Sequence, residues 1–105
     1  MRHGEIWEAD IGGRVGRRPV LILTRSAVIP YLSKVVVAEV TTQGKGYPTQ
    51  VDIDQKANLP KHSFVSSESL HTLPKDRLKK SLGELPTDLL KKVSDAVIFA
   101  LDLKG

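Results

Sequence analysis

Cysteine is absent from the 105 residues, which excludes disulfides, zinc–thiolate sites and a cysteine nucleophile, and nothing argues for an oxidising compartment. Aromatic residues are few: two Phe, two Tyr and one Trp. That is thin for a surface on which bases stack, and Trp7 and Phe99 are expected in the core. No apolar run approaches the roughly 20 residues needed to cross a bilayer. The N-terminal residues Met1–Trp7 lack the apolar stretch of a signal peptide. The expected location is the cytoplasm, with no membrane partner. His3, His62 and His71 are scattered, with none of the spacings of a zinc site, so no metal and no cofactor is expected. A P-loop, a Rossmann glycine motif and a nucleophile elbow are all missing, so nucleotide hydrolysis, dinucleotide chemistry and α/β-hydrolase activity lack support.

What is present is a globular mixture, 40% hydrophobic and 27% charged, which is neither disordered nor fibrous. A chain of this length supports one modest core, so residues 1–105 are expected to form one domain. The formal net charge is +4 and the pI near 9.5. Residues 1–50 carry seven basic groups, five of them Arg; residues 51–105 carry nine, eight of them Lys. Arg14, Arg17 and Arg18 fall within five positions. Arginine forks suit phosphate, whereas lysine more often solvates a surface. Clustered arginine on a basic chain points towards a nucleic-acid or other polyanionic partner; its ordinary counterpart is a soluble surface that happens to be basic.

Periodicity predicts mainly strands. Glu5–Ile11 alternates, with Ile6, Glu8 and Asp10 on one face and Trp7, Ala9 and Ile11 on the other. Gly12 to Pro19 reads as a glycine-punctuated basic loop, with Val20–Thr24 a buried strand and Pro19 at its first residue. Ser26–Ser33 is a second loop. Lys34–Thr41 is the most strand-like segment, Thr42–Thr49 a loop, and Gln50–Ile53 alternates again. Ala57–Lys61 is a turn, and Ser63–Ser67 and Leu70–Leu73 are short strands or strand ends. Lys75–Leu82 is expected to form one or two helical turns. Thr87 is a candidate N-cap for a helix whose apolar face is Leu89, Leu90, Val93, Val97, Ala100 and Leu101. Several short strands and a terminal helix imply a mainly β protein with helices (α+β), a small, strongly curved antiparallel sheet or open barrel with the helix packed on it.

Four arrangements carry possible chemistry. Proline forces the preceding residue into extended geometry, so Arg18 should stand at a fixed point where the basic loop enters a strand; a fixed charge serves phosphate better than one on a loop tip. Thr41, Thr42 and Gln43 end the Val-rich strand beside Gly44, Lys45 and Gly46, where hydroxyls can donate to phosphate oxygens or an oxyanion; threonine pairs also simply end strands. Glu68 lies among serines near His71, and a carboxylate there can read a base edge or orient an arginine; it is equally an ordinary surface acid. Fourth, one of the three histidines can act as a general acid or base; the ordinary counterpart for each is an exposed or half-buried histidine.

Taken in order, these segments resemble the MazF/PemK family of bacterial toxin endoribonucleases. Arg2–Asp10 is similar to that family's N-terminal strand. Arg18-Pro19-Val20-Leu21-Ile22 matches its Arg-Pro-Val entry into the second strand, and Val35–Thr42 its apolar strand ending in Thr and a small polar residue. Pro48–Ile53 resembles its Pro-Thr-His-Val-Glu-Ile, Glu68–Leu73 its Glu-Gln-Ile-Arg-Thr-Leu, and Lys75–Leu78 its Asp-Lys-Arg-Leu. The resemblance implies an SH3-like (CcdB-like) antiparallel barrel with a C-terminal helix, working as a homodimer. It implies metal-independent cleavage of single-stranded RNA at short preferred sequences, and inhibition by a cognate antitoxin of the MazE type whose disordered tail covers the groove. Residue by residue, the family's catalytic pair becomes Arg18 and Thr41, with Arg14, Arg17, Thr42, Gln43, Lys45, Glu68 and His71 as RNA-binding candidates. Ser69 and His71 replace the family's Gln and Arg. The loop from Gly12 to Arg17 is short and holds no acid where many members carry a Glu, which leaves no residue assigned as general base. Two other readings use the same features: a basic barrel that holds nucleic acid without cutting it, and a gyrase-directed toxin of the CcdB type. The C-terminal Leu101–Gly105 lacks the aromatic of the latter.

Overall fold

The computed structural model describes residues 1–104. Six strands form one sheet: β1 (Glu5–Asp10), β2 (Arg17–Ile22), β3 (Lys34–Thr41), β4 (Gln50–Asp54), β5 (Ser63–Pro74) and β6 (Leu78–Glu84). Helix α1 (Thr87–Ala100) follows them, and short 3-10 turns lie at Ile29–Tyr31 and Lys75–Arg77. The order across the sheet is β4-β5-β3-β2-β1-β6, and every neighbouring pair is antiparallel. The two edge strands curl towards each other. In the turn after β4, Asn58 Nδ2 donates to the Leu82 carbonyl of β6 at 2.6 Å. The approach is close enough that a Cβ on Gly83 would stand 3.0 Å from the Ala57 Cα. An open barrel is therefore what the alternating strands build.

Side chains alternate across the pleat, and both faces are apolar. In β2, Val20, Leu21 and Ile22 are all fully buried. Leu21 joins Ile6, Ala38, Val40, Ile53 and Val65 in the larger cluster, which α1 covers through Val93 and Ala96. Val20 and Ile22 join Ala9, Val35, Val37 and Leu73 on the other face, closed by Ile29 of the first 3-10 turn and flanked by Trp7. The apolar run of β2 is continuous because neither of its faces meets water.

Four local expectations need correction. Residues 75–82 are not helical beyond the 3-10 turn; Leu78–Glu84 is a strand paired with β1. Lys and Leu favour helices locally, but the open edge of β1 offers a hydrogen-bond ladder that outweighs that weak preference. The exposed Lys79 and Lys80 suit an edge strand, where charge discourages pairing with other chains. Arg17 and Arg18 belong to β2 rather than to the preceding loop, opposite Asp10 and Ala9 of β1. Thr87 makes no capping hydrogen bond; it is the first helical residue, after Pro86 in extended geometry. Phe99 is 65% exposed, because it stands on the flank of α1 over a groove with Pro48 and Val51 instead of on the Val93–Ala96 stripe. Ser63–Ser67 and Leu70–Leu73 are the two halves of one strand.

Leu21 contacts the core beneath α1 with none of its surface in water. Leu21→Ala is expected to lower unfolding free energy by about 2–5 kcal/mol, read from a denaturant midpoint shift at unchanged slope. A loss under about 1 kcal/mol would contradict this packing.

Candidate active site

The site grows from the register of β2, β3 and β5. Val20 pairs with Glu39, Leu21 with Ala38 and Ile22 with Val37. Continued by two residues, that register sets Arg18 across from Thr41. Alternation then puts Arg18, Glu39 and Thr41 on one face. Arg18 Nη1 donates to Glu39 Oε1 at 3.1 Å. On the other side of β3, His71 Nε2 lies 2.5 Å from Glu39 Oε2. Glu39 is thus held by a neighbour on each flanking strand, and its side chain is only 15% exposed.

A bulge in β5 builds one wall. Ala38 pairs with Leu70, but Glu39 pairs with Ser66, so Ser67, Glu68 and Ser69 arch out of the ladder beside Glu39. The Ser66 and Ser69 hydroxyls meet across the base of the arch at 3.0 Å, and the buried Ser67 donates its backbone N–H to the Thr49 carbonyl at 2.9 Å. Bulges commonly re-aim side chains next to sites; this one carries Glu68 outward into solvent.

The loop 42–49 builds the other wall. Thr41 Oγ1 accepts the Gln43 N–H at 3.0 Å, which leaves the hydroxyl hydrogen free to donate elsewhere. Gln50 staples the loop: its Oε1 accepts the Lys45 N–H at 2.7 Å and its Nε2 donates to the Gln43 carbonyl at 3.2 Å. Gly44 is needed because a Cβ there would lie 2.5 Å from Cζ of the Phe64 ring.

Between these walls lies a cleft of about 390 Å³ lined by Arg18, Glu39, Thr41, Gln43, Lys45 and Glu68, with Tyr47, Gln50, Ser66 and Ser69. A second hollow joins it at Arg18, Thr41 and Gln43 and extends along Arg17 and Thr42. Five of the nine expected residues therefore line the cleft, and Arg17 and Thr42 line the adjoining hollow. Arg14 stands exposed on the turn between β1 and β2. His71 lies against Glu39 and does not line the cleft. Arg17 is tied to Glu8, Nη1 to Oε1 at 3.1 Å, and stays largely exposed. His3 bonds to the Leu23 carbonyl, and His62 sits between Asp52 and Asp54. Sequence reasoning missed Glu39, whose signal is an acid inside a run of valines. It also missed Tyr47 in the loop and Gln50 at the start of β4, which nothing in the sequence marks.

Among the described residues, Glu39 is the one protein acceptor for the Arg18 guanidinium. Arg18 Nε is buried without a partner, while Nη2 and the second Nη1 hydrogen have none either. A guanidinium with unused donors, a hydroxyl with a free hydrogen and a nearby Lys45 form a receptor for an anionic, tetrahedral group. Tyr47, 54% exposed at the rim, offers a ring face. Among the described residues no three His, Asp or Glu side chains are grouped to hold a metal ion, and no helix is long and apolar enough to cross a membrane.

A curved six-stranded antiparallel sheet with one C-terminal helix, and an arginine facing a threonine across two central strands, define a small mainly β toxin fold. The chain belongs to the PemK-like, MazF-like toxins of type II toxin–antitoxin systems, whose family model matches residues 2–101. It is 38% identical to Endoribonuclease MazF3 of Mycobacterium tuberculosis (strain ATCC 25618 / H37Rv) over 86 residues, 82% of this chain and 84% of that one. Mycobacterium tuberculosis toxin MazF-mt6 superposes with a TM-score of 0.89 at 35% identity, covering 96% of this chain and 99% of its own. An endoribonuclease solved in complex with its cognate antitoxin from a mycobacterial species has the same TM-score at 28% identity, covering 100% and 98%.

The Arg18–Glu39 contact is part-buried. A double-mutant cycle of Arg18→Met and Glu39→Gln, read by denaturation, is expected to give a coupling of about 1 kcal/mol. Zero coupling would mean that the pair does not persist in solution.

Proposed function

We propose that this toxin is an endoribonuclease that cuts single-stranded RNA without a metal ion, with Arg18 and Thr41 as its catalytic pair. The observation that supports this reading is their placement. They face each other from β2 and β3 in one groove, each with hydrogens that no protein group accepts. Residues 1–105 act as one toxin domain, in the cytoplasm, as a homodimer. A cognate antitoxin of the MazE type inhibits it, in keeping with the antitoxin complex of its structural relative.

The chemistry follows from the substrate. The ribose 2′-hydroxyl attacks the adjacent phosphorus; the bond from phosphorus to the 5′-oxygen breaks, leaving a 2′,3′-cyclic phosphate and a 5′-hydroxyl. Charge builds on the nonbridging oxygens of a five-coordinate phosphorus. The free donors of Arg18 stabilise it with charge-assisted hydrogen bonds, and Thr41 holds a second oxygen. DNA lacks the attacking hydroxyl and is spared. Arg14, Arg17 and Lys45 contact phosphates along the strand, while Thr42, Gln43 and Glu68 bear on which bases are accepted, and His71, expected to touch RNA, bears on it only through Glu39.

The decisive test incubates purified toxin with a long single-stranded RNA in excess chelator, with Arg18→Ala alongside and product ends mapped. Discrete cuts bearing 5′-hydroxyls are expected, and Arg18→Ala should be slower by about 100- to 1,000-fold. Intact RNA, from a folded and antitoxin-free preparation, would sink the nuclease reading and favour a non-cutting barrel or a gyrase-directed toxin.

Arg17 separates binding from catalysis. Arg17→Ala should weaken binding of a 2′-O-methyl RNA and reduce the slope of log affinity against log salt by about 0.7. The single-turnover rate at saturating RNA should hold. A fall in that rate instead would place Arg17 in the chemical step.

A further inference from the structure

The short loop from Gly12 to Arg17 has no acid, yet attack by a 2′-hydroxyl needs somewhere for its proton to go. Two carboxylates line the cleft, Glu39 and Glu68. Glu68 stands exposed at the tip of the β5 bulge and makes no hydrogen bond among the described residues. Glu39 differs in every respect that matters for a proton acceptor. It projects from β3, the strand between β2 and β5. Both of its oxygens are held, Oε1 by Arg18 at 3.1 Å and Oε2 by His71 at 2.5 Å. It shares its face with Thr41, two residues on. Any phosphate gripped by Arg18 is therefore brought beside Oε1, and an adjacent ribose hydroxyl with it. A fixed base at hydrogen-bond reach is what the reaction lacks and what this strand supplies.

Resting on the nuclease reading above, we propose that Glu39 is the general base of this enzyme and that His71 is its positioning residue. The hydrogen of the 2′-hydroxyl passes to Glu39 Oε1 as the 2′-oxygen bonds to phosphorus. The bond from phosphorus to the 5′-oxygen breaks, and the 5′-oxygen takes a proton from a solvent water. Glu39 returns its own proton to water afterwards. Each carboxylate oxygen has two acceptor sites, so Oε1 can keep the Arg18 N–H and still receive the ribose hydrogen. His71 fixes the far oxygen, Oε2, and so limits rotation of the carboxylate. Arg18 from β2 and His71 from β5 touch Glu39, and the other charged or titratable groups lining its cleft are Glu68 from β5 and Lys45 and Tyr47 from the loop after β3. Arg18 and Lys45 balance the negative charge of carboxylate and phosphate together.

The same contacts permit an opposite role. Glu39 could simply occupy Arg18 until RNA displaces it, acting as an internal competitor. The two roles predict opposite signs. Single-turnover cleavage of an RNA oligonucleotide carrying one mapped site, with parallel binding of its 2′-O-methyl analogue, distinguishes them. For a general base, Glu39→Gln cuts about 100- to 10,000-fold more slowly while binding holds. The rise of rate with pH on the acid side gives way to a plain dependence on hydroxide. Formate restores part of the rate to Glu39→Ala, a rescue that a structural role does not produce, and thermal melts of both variants confirm folding. His71→Ala lowers the single-turnover rate by up to about 100-fold at constant affinity, and His71→Gln, which keeps an N–H donor, recovers part of it. Faster cleavage or tighter binding by Glu39→Gln overturns the proposal in favour of the competitor. So does an unchanged rate and pH profile, or no response to formate. A wild type that cuts under chelator while Glu39→Gln keeps pace defeats this inference alone; a wild type that cuts nothing defeats the nuclease reading and this inference with it.

Discussion

Glu39 ties the three strands that carry the site. Its carboxylate reaches an arginine on β2 and a histidine on β5, and its strand continues two residues to Thr41. Placing a carboxylate within the Val- and Ala-rich middle of a strand is unfavourable unless donors surround it. Here both oxygens have one. Ion pairs of this kind contribute little net stability, and a well-packed apolar residue often serves a fold as well or better. A valine at position 39 would suit the strand and the sheet. The acid is thus poorly explained by folding and well explained by what it holds in place, in line with the rule that local inconsistencies gather at functional sites.

Around that fixed point the sheet divides the work. The central strands β2 and β3 carry Arg18, Glu39 and Thr41. The walls are irregular: a bulge at Ser67–Ser69 and a loop at 42–49 held by one glutamine. Position is set by the ladder, while shape and chemistry at the rim can vary without disturbing it. The split in basic residues has the same logic. Arg17 and Arg18 begin β2 at the groove, whereas Lys79 and Lys80 lie on edge strand β6 and Lys91 and Lys92 on the exposed side of α1. Two further arginines meet acids away from the groove: Arg2 reaches Glu84 and Arg77 approaches Asp10.

Much of this was legible in the sequence. The alternation of Glu5–Ile11 put Ile6 and Ala9 on opposite faces, and the Val-rich run predicted β3. Arg18 before a proline and Thr41 at a strand end stood out as fixed donors. What escaped depends on partners distant in the chain. Leu78–Glu84 looks helical because its local preferences are; it is a strand because β1 needs a neighbour. The bulge that presents Glu68 arises only when β5 pairs with β3, so the sequence shows a gap between two short strands and not an arch. Phe99 seemed a core residue by type, yet a helix turns it to the flank. Glu39 was visible as an acid among valines, but its meaning required the register that sets it beside Arg18 and His71.

Fold alone does not separate an RNA-cutting toxin from a protein-directed one on the same barrel; the magnitudes at Arg18 bear on the choice. The tie to Glu39 is part-exposed, so breaking or sharing it costs on the order of 1 kcal/mol. A donor aimed at charge developing in a transition state is worth about 2.7–4 kcal/mol. On the proposed chemistry, Arg18 can therefore keep one N–H on Glu39 and still grip a phosphate, because its buried Nε has no protein partner and a charge-assisted bond to developing negative charge is the stronger kind. An arginine left with unused donors beside a carboxylate suits an anionic group that takes several of them at once, more than a protein surface that asks for a single contact.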